Sequence, residues 1–506
     1  MAQNAKKNKT ATKKSTNSRK TNPTTKMNWA QLMSRKRLGV EASPSDKNPQ
    51  FPETISIEER TQFESDIDRI IYSGAFRRLG RKTQVHPLAA NDHIHTRLAH
   101  SLEASRMGKA LGRAIGVELK RQKKLPRDIS PEDISTVVQA ASLAHDLGNP
   151  PFGHGGEEAM AHWFEINGPE FFKFFNKEYQ NDLINFEGNA QGFRILTQTE
   201  RRLFKGGVRL TCATLAAFQK YPWTSQKKGK KFGAFLSEKN ILEQVAKETG
   251  LIQKNDHEWC RHPLAYLVEA ADDICYAIID IEDAVELKII TYERARDALL
   301  SAFDSDSAKR IREDLNPEGN SRENLAIIRS HIFDIAVPAV KEGFMNGYDD
   351  IMSGVMSGSI FGKMQEYKRF NQFILDAKKI AHEEIFKDRR KIENEIGAYA
   401  IFDTTLKAFC EAAINKARVL SHDPKRSESS EKRQSDTALS WKSDLVLKLL
   451  GHHAPSGTNV PGEQETWTEY QCLRRVIDYV SGMTDNYATY ISKQLQGMGF
   501  SGGQRP

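Results

Sequence analysis

The sequence predicts an all-α protein. Apolar residues recur at i, i+3, i+4 and i+7 through most of the chain, the period-two alternation of strands never persists, and helix-start signatures precede periodic stretches. No segment repeats internally. At 506 residues the chain exceeds the usual single-domain size and can bury a large core. Apolar residues make up 39% and charged residues 28%, and no run of 18 apolar residues exists, so a soluble protein with no membrane partner is expected. The polar, basic N-terminus is not a secretory signal. The cysteines Cys212, Cys260, Cys275, Cys410 and Cys472 are odd in number and never spaced CxxC. That spacing argues for a reducing cytoplasmic location and against zinc fingers or a disulfide framework.

The net charge of +8 lies entirely in residues 1–26, which carry eight Lys/Arg and no acid. This Lys/Thr/Asn tail has too few apolar groups to order itself. It reads as a solvated extension rather than a nucleic-acid tether. Residues 27–56 form a polar N-terminal segment with a short Trp29–Leu32 helix, and folded sequence is expected from about Ile57. Phe63, Ile67, Ile70, Ile71, Phe76 and Leu79 keep helical spacing. Gly80 to Pro87 reads as loop and turn. Arg97 to Gly116 reads as a helix with Leu98, Leu102 and Leu111 inward. Ser130-Pro131-Glu132-Asp133 is a helix start, with Ser as N-cap, Pro at the first position and an acid three residues after the cap. Ile134, Val137, Val138, Ala141 and His145 follow on one face, and Gly148 is expected to stop the helix.

Downstream, a short Glu157–Phe164 helix, an aromatic cluster at Phe171–Phe175 and helices at Asn189–Thr199 and from Val208 are expected. Lys227–Lys231 is a loop, and Pro263–Lys288 is a long, strongly patterned helix. Tyr292–Asp376 is helical with an irregular Gly/Met-rich part at 343–364, and His382–Ser421 reads as two helices. Asp423–Asp436 is a charged, Ser-rich mobile loop, and Trp441–Leu450 and Tyr470–Gln496 close the fold.

Chemistry centres on Ala144-His145-Asp146-Leu147-Gly148-Asn149-Pro150-Pro151-Phe152-Gly153-His154. Imidazole and carboxylate together suit Mn, Fe, Co, Ni or Zn. Neighbours on a helix point about 100° apart, so both reach one ion only at a helix edge with other elements opposite. Within Pro263–Lys288, Glu269, Asp272, Tyr276, Asp280 and Asp283 share a stripe, and no Lys or Arg lies between Arg261 and Lys288. That stripe either faces a metal and polar cavity or pairs with Arg from elsewhere; the cavity is the preferred reading.

The order His100, His145-Asp146, Asp272 resembles the H…HD…D pattern of HD-domain metallohydrolases. Four stretches resemble more narrowly the deoxyguanosinetriphosphate triphosphohydrolase (dGTPase) family: Phe76–Leu79 with Lys82–Val85, His145–His154, Asn185–Gln191 and Glu269–Ile274. A further match lies at Gly482-Met483-Thr484-Asp485. The resemblance implies an HD-type catalytic core over 57–300, with a helical C-terminal region over 301–500 completing the pocket and oligomer contacts. It implies one divalent metal per site (Mn or Mg first, with Fe, Co and Ni as alternatives), held by His100, His145, Asp146 and Asp272, with Asp273 the runner-up for the last position. His154 and Glu157, three apart, share a helix face, and in the family such a pair works beside the metal; Glu187 resembles another active-site acid. Arg97 precedes His100 by three residues and reaches the same face. Lys220, Tyr221 and Lys231 resemble a phosphate clamp, and Gln84, Tyr276 and Asp280 resemble residues that hold a deoxyribose. The implied reaction is dGTP + H2O → deoxyguanosine + triphosphate. Implied partners are a homo-oligomer, such as a hexamer, and a single-stranded DNA or dNTP effector. The rivals are another HD phosphohydrolase (a 5′-nucleotidase or a cyclic-nucleotide phosphodiesterase) and a non-catalytic nucleic-acid-binding protein.

Overall fold

A computed structural model describes residues 26–39, 60–88, 91, 93–200, 205–420, 439–454 and 468–498. The basic tail up to residue 25 and the Asp423–Asp436 loop lie outside the described residues. Helices dominate, as the sequence leads one to expect, and among the described residues the one sheet is a small hairpin of β1 (Gln253–Asn255) and β2 (Glu258–Trp259). No helix among the described residues is long and apolar enough to cross a membrane.

The principal helices are α1 (Gln62–Ile71), α2 (Arg97–Arg121), α3 (Pro131–Ala144), α4 (Gly153–Phe171), α5 (Gly188–Arg194), α6 (Cys212–Phe218) and α7 (Ala265–Glu286). They continue through α8 (Ser321–Asn346), α9 (Lys368–Ile380), α10 (Arg389–Leu420), α11 (Trp441–Leu450), α12 (Glu469–Ser481) and α13 (Asp485–Leu495). The start of α3 is the expected capping box: Ser130 Oγ accepts from Asp133 N, and the Asp133 carboxylate accepts from Ser130 N. Helix α2 lies antiparallel against α3 at close range. A Cβ on Gly116 would stand 2.7 Å from Pro131 Cα, and one on Gly112 2.9 Å from Ser135 Cα. Small residues at these positions let the two backbones approach, so the start of α2 meets the end of α3. Helix α7 packs across both.

Two apolar cores result, and they do not divide at residue 300. The first runs from Met27 to Ile385 and is built on α1–α3 and α6–α9. The second gathers Phe152, α4, Phe232, Phe235 and α10–α13. Three further expectations need correction. Folded structure begins before Ile57, because Met27, Trp29, Leu32, Met33 and Leu38 are buried in the first core and Met27 N donates to Met352 O at 2.8 Å. Leu102 is 46% exposed, on the side of α2 away from α3. The expected pair of helices over His382–Ser421 is one long helix, α10, preceded by a turn. Gly397 alone costs about 1 kcal/mol in a helix, and the burial of Ala398, Phe402, Leu406 and Phe409 in the second core outweighs it.

His262 is fully buried where the N-terminal segment meets the approach to α7. Its Nδ1 accepts from Leu264 N, and its Nε2–H donates to Leu32 O, both at 3.1 Å. Burial lowers its pKa from 6.5 to about 4. The native state therefore binds this proton less tightly than the unfolded chain. The contribution to stability is full above pH 6.5 and is lost as pH falls through 4, up to about 3 kcal/mol. His262→Gln keeps an acceptor and a donor without a titrating ring. Its urea-denaturation stability should fall less steeply than that of the wild type between pH 6.5 and 4; parallel profiles would refute this.

Candidate active site

Three helices deliver the central cluster. Thr96 caps α2 by accepting from Ala99 N, which sets the register of Arg97 and His100 on the first turns. His145 is the C-terminal cap of α3, and Asp146 opens the turn beyond it. Gly148 is not the left-handed terminator expected. It permits close approach, since a Cβ there would fall 1.8 Å from Gly188 O and 2.2 Å from Gly192 N, the backbone of α5. Asp272 comes from α7.

His100 Nε2 lies 3.2 Å from His145 Nε2 and 3.0 Å from Asp272 Oδ1. His145 Nε2 lies 3.4 Å from Asp272 Oδ1 and 3.7 Å from Asp146 Oδ1. The Nδ1–H of His145 donates to Ser142 O at 2.6 Å, which fixes the ring with Nε2 turned inward. Two imidazole nitrogens this close, with carboxylate oxygens around them, suit a shared cation better than a direct hydrogen bond. Asp146 Oδ2 is buried without a partner among the described residues. The field is strongly cation-attracting: against burial, Asp146 and Asp272 raise the His145 imidazole to about 9. Burial opposes the charged form of Asp272 too, yet His145 and His100 hold it well below the usual carboxylate range. The two-nitrogen, two-carboxylate set fits a divalent transition metal or Mn. Asp273 turns elsewhere, to Lys378 at 2.8 Å.

Around this cluster, Arg97 Nη1 donates to Asp146 Oδ1 at 3.1 Å, and Asn149 Nδ2 donates to the same oxygen at 2.5 Å. Helix α4 starts earlier than expected, at Gly153, after Phe152 in the left-handed region at φ +62°. His154 thus stands on the first turn of α4, open to solvent but walled by the cleft. That enclosure, with Arg97 and Lys231 nearby, lowers its pKa below 6.5. One turn on, Glu157 is buried and accepts from Gly188 N at 2.8 Å. Glu187 caps α5 and accepts from Asn189 Nδ2 at 2.8 Å. Lys231 Nζ sits between the two acids, 3.0 Å from Glu187 and 3.6 Å from Glu157. Burial pushes both carboxyls up despite that cation. The β1–β2 hairpin props the loop that carries Lys231, through Trp259 N to Pro222 O and Thr224 N to His257 O.

Lys220 Nζ is 3.5 Å from Glu269, which also pairs with Arg261 at 2.9 Å. Against burial, Asp272 and Glu269 hold Lys220 protonated. Tyr221 packs obliquely on Trp223, with ring centroids 5.3 Å apart. On α7 beyond Asp272, Tyr276 meets Phe386 edge-on, and Asp280 is fully buried. Burial, with the Asp283 charge beside it, pushes Asp280 well above the usual carboxylate range. The Tyr276 hydroxyl, one turn back on α7, is the polar neighbour of Asp280, and Gln84 Oε1 is buried without a partner among the described residues. The acidic stripe thus divides between the two readings. Asp272 faces the centre, while Glu269 and Asp283 pair with Arg261 and His95, and off the stripe Asp273 and Glu282 pair with Lys378 and Arg329. Asn149 and Arg261 were not singled out from the sequence, although Asn149 follows Asp146 at the three-residue spacing of a turn that folds back on itself.

A helical bundle with a His/His-Asp/Asp centre defines the HD-domain class of metal-dependent phosphohydrolases. The HD domain family matches residues 97–184, and the phosphohydrolase-associated domain matches residues 442–494. The chain is 41% identical over 478 residues to a deoxyguanosinetriphosphate triphosphohydrolase-like protein of Pseudomonas aeruginosa (strain LESB58), covering 93% of this chain and 99% of that one. A like-named protein of Synechocystis is 34% identical, covering 93% of this chain and 100% of that one. The deoxyguanosinetriphosphate triphosphohydrolase of Salmonella typhi is 27% identical, covering 84% and 92%. This chain belongs to the deoxyguanosinetriphosphate triphosphohydrolase family of HD-domain proteins.

Removing a donor should remove the ion. His145→Ala and Asp146→Ala are expected to bind Mn2+ at least tenfold more weakly, since each deletes a ligand outright, and Asp146→Ala should also melt lower because it leaves buried Arg97 unpaired. Calorimetric titration of the metal-stripped variants checks this, and an unchanged affinity would move the ion elsewhere.

Proposed function

We propose that this protein is a dGTPase, hydrolysing dGTP to deoxyguanosine and triphosphate. The observation that carries the reading is the juxtaposition of four metal-type donors with Arg97, Lys220 and Lys231 on one side and the Tyr276–Asp280 face of α7 on the other. A bound divalent ion, Mn2+ or Mg2+ before Fe, Co or Ni, would be held by His100, His145, Asp146 and Asp272 and would stabilise charge building on the α-phosphate.

The chain's own residues do the rest. Arg97, Lys220, Tyr221 and Lys231 receive the triphosphate, and Lys231 exchanges its carboxylates for phosphate oxygens. Gln84, Tyr276 and Asp280 hold the sugar. Water attacks the α-phosphorus while the bond from phosphorus to O5′ breaks. The proton given up by the water passes to O5′ of the leaving nucleoside. His154, neutral at pH 7 and hence able to take and return that proton, is placed for the transfer, and Glu157 and Glu187 orient its surroundings.

Purified protein incubated with Mn2+ and each dNTP should release deoxynucleoside and intact triphosphate, with dGTP turned over fastest. Orthophosphate as product, or turnover of cyclic or monophosphate nucleotides alone, would favour a different HD phosphohydrolase.

Tyr276 tests the sugar assignment separately. Tyr276→Ala should keep its Mn2+ affinity but lose the wall beside C2′. The dGTP/GTP ratio of kcat/KM should shrink by roughly ten- to a hundredfold, or about 1–3 kcal/mol. An unchanged ratio would take Tyr276, and with it Gln84 and Asp280, out of the sugar pocket.

A further inference from the structure

Lys82, Thr83 and Asp485 belong to stretches with no role assigned above, and they meet at the turn that follows the metal cluster. Lys82 is buried at 3% exposure, and its Nζ donates to two carbonyls, Asn149 O at 2.6 Å and Ser481 O at 2.8 Å. Asp485, at the first position of α13, is equally buried. Its Oδ2 accepts from Thr83 N and Thr83 Oγ1, both at 3.1 Å, and its Oδ1 accepts from Phe152 N at 3.0 Å. The turn from Asn149 to Phe152 is therefore pinned at both ends by groups remote in sequence.

Each pin bears on a different part of the centre. Asn149, held by Lys82, hydrogen-bonds Asp146 Oδ1. Phe152, held by Asp485, has φ +62°, a conformation a bulky side chain adopts only when its surroundings enforce it. It immediately precedes the first turn of α4, where His154 stands. We infer that Lys82 and Asp485 are positioning residues, Lys82 acting through Asn149 on the ligand Asp146 and Asp485 acting through Phe152 on His154. The C-terminal helices are then working parts of a centre whose ligands all lie before residue 273. Directional bonds suit this task, since a buried carbonyl or amide fixes its partner to a few tenths of an ångström, whereas apolar contact does not.

The inference rests on the reading of this turn as part of the phosphohydrolase centre, and two readouts separate the two. Full-length Lys82→Met should bind Mn2+ about tenfold more weakly than wild type, as loss of a group that orients a ligand does. Asp485→Ala should keep Mn2+ affinity and KM for dGTP within about twofold, yet lose about tenfold or more in kcat. Asp485→Asn, whose amide oxygen can still accept from Phe152 N, should recover most of that kcat. Wild-type Mn2+ affinity in folded Lys82→Met, or an Asp485→Ala kcat that falls only with the unfolded fraction, would overturn the inference. If Asp485→Ala does not fold, Asp485→Asn and the Mn2+ titration of Lys82→Met decide. If the wild type turns over no dNTP, the dGTPase reading fails, and the Lys82→Met titration still judges this one.

Discussion

Everything in the molecule answers to one conflict: His100 and His145 bring their Nε2 atoms within 3.2 Å of each other beside two carboxylates. Such groups do not gather on their own account. Desolvating the carboxylates and the imidazoles together is costly. The scaffold must hold them before a cation relieves the strain. It does so with rigid elements: α2 and α3 pressed together along their small residues, and α7 laid across both. A ligand set spread over three packed helices is held more tightly than one carried on loops.

Helix α7 shows how the charge is managed. It is strongly apolar yet carries acids along its length, and each acid has a different neighbour. Asp272 meets the two histidines, Glu269 meets Arg261 and Lys220, Asp273 meets Lys378, and Asp283 meets His95. Asp280 is fully buried and has the Tyr276 hydroxyl, one turn back, as its neighbour. Burial, with the Asp283 charge beside it, pushes its carboxyl well above the usual range.

The sequence made the local order legible, because capping and period are short-range physics. The Ser130–Asp133 capping box, the α3 stripe and the long α7 helix are all where spacing puts them. Tertiary facts were not legible in the same way. Gly148 looked like a helix stop and is instead a contact point for the backbone of α5. Leu102 fits an inward spacing, yet the face of α2 that packs on α3 is the glycine face, so Leu102 points out. Lys82 and Asp485 carry no local signal of the bonds they make. Their significance lies in bonds spanning, at the widest, several hundred residues of chain. No one-dimensional pattern marks which buried lysine will find which carbonyl.

The centre also lies at a seam. Its four donors stand at the margin of the first apolar core, while His154, Glu157 and Glu187 stand on elements packed into the second. Apolar contact is non-directional and would let one core slide on the other with little change in buried area. The seam is instead crossed by buried polar bonds. Arg194 joins Asp478 through two nitrogens, at 2.8 and 2.9 Å, and Glu238 at 2.7 Å, and Gln191 joins Asp478 at 2.9 Å. Removing one partner of such a network leaves a buried charge unpaired, at a cost of about 3–5 kcal/mol, so the network resists rearrangement. The weakness of buried ion pairs as a source of net stability does not count against them here. Their geometry sets the distance between the two halves of the site, and the chemistry depends on that distance.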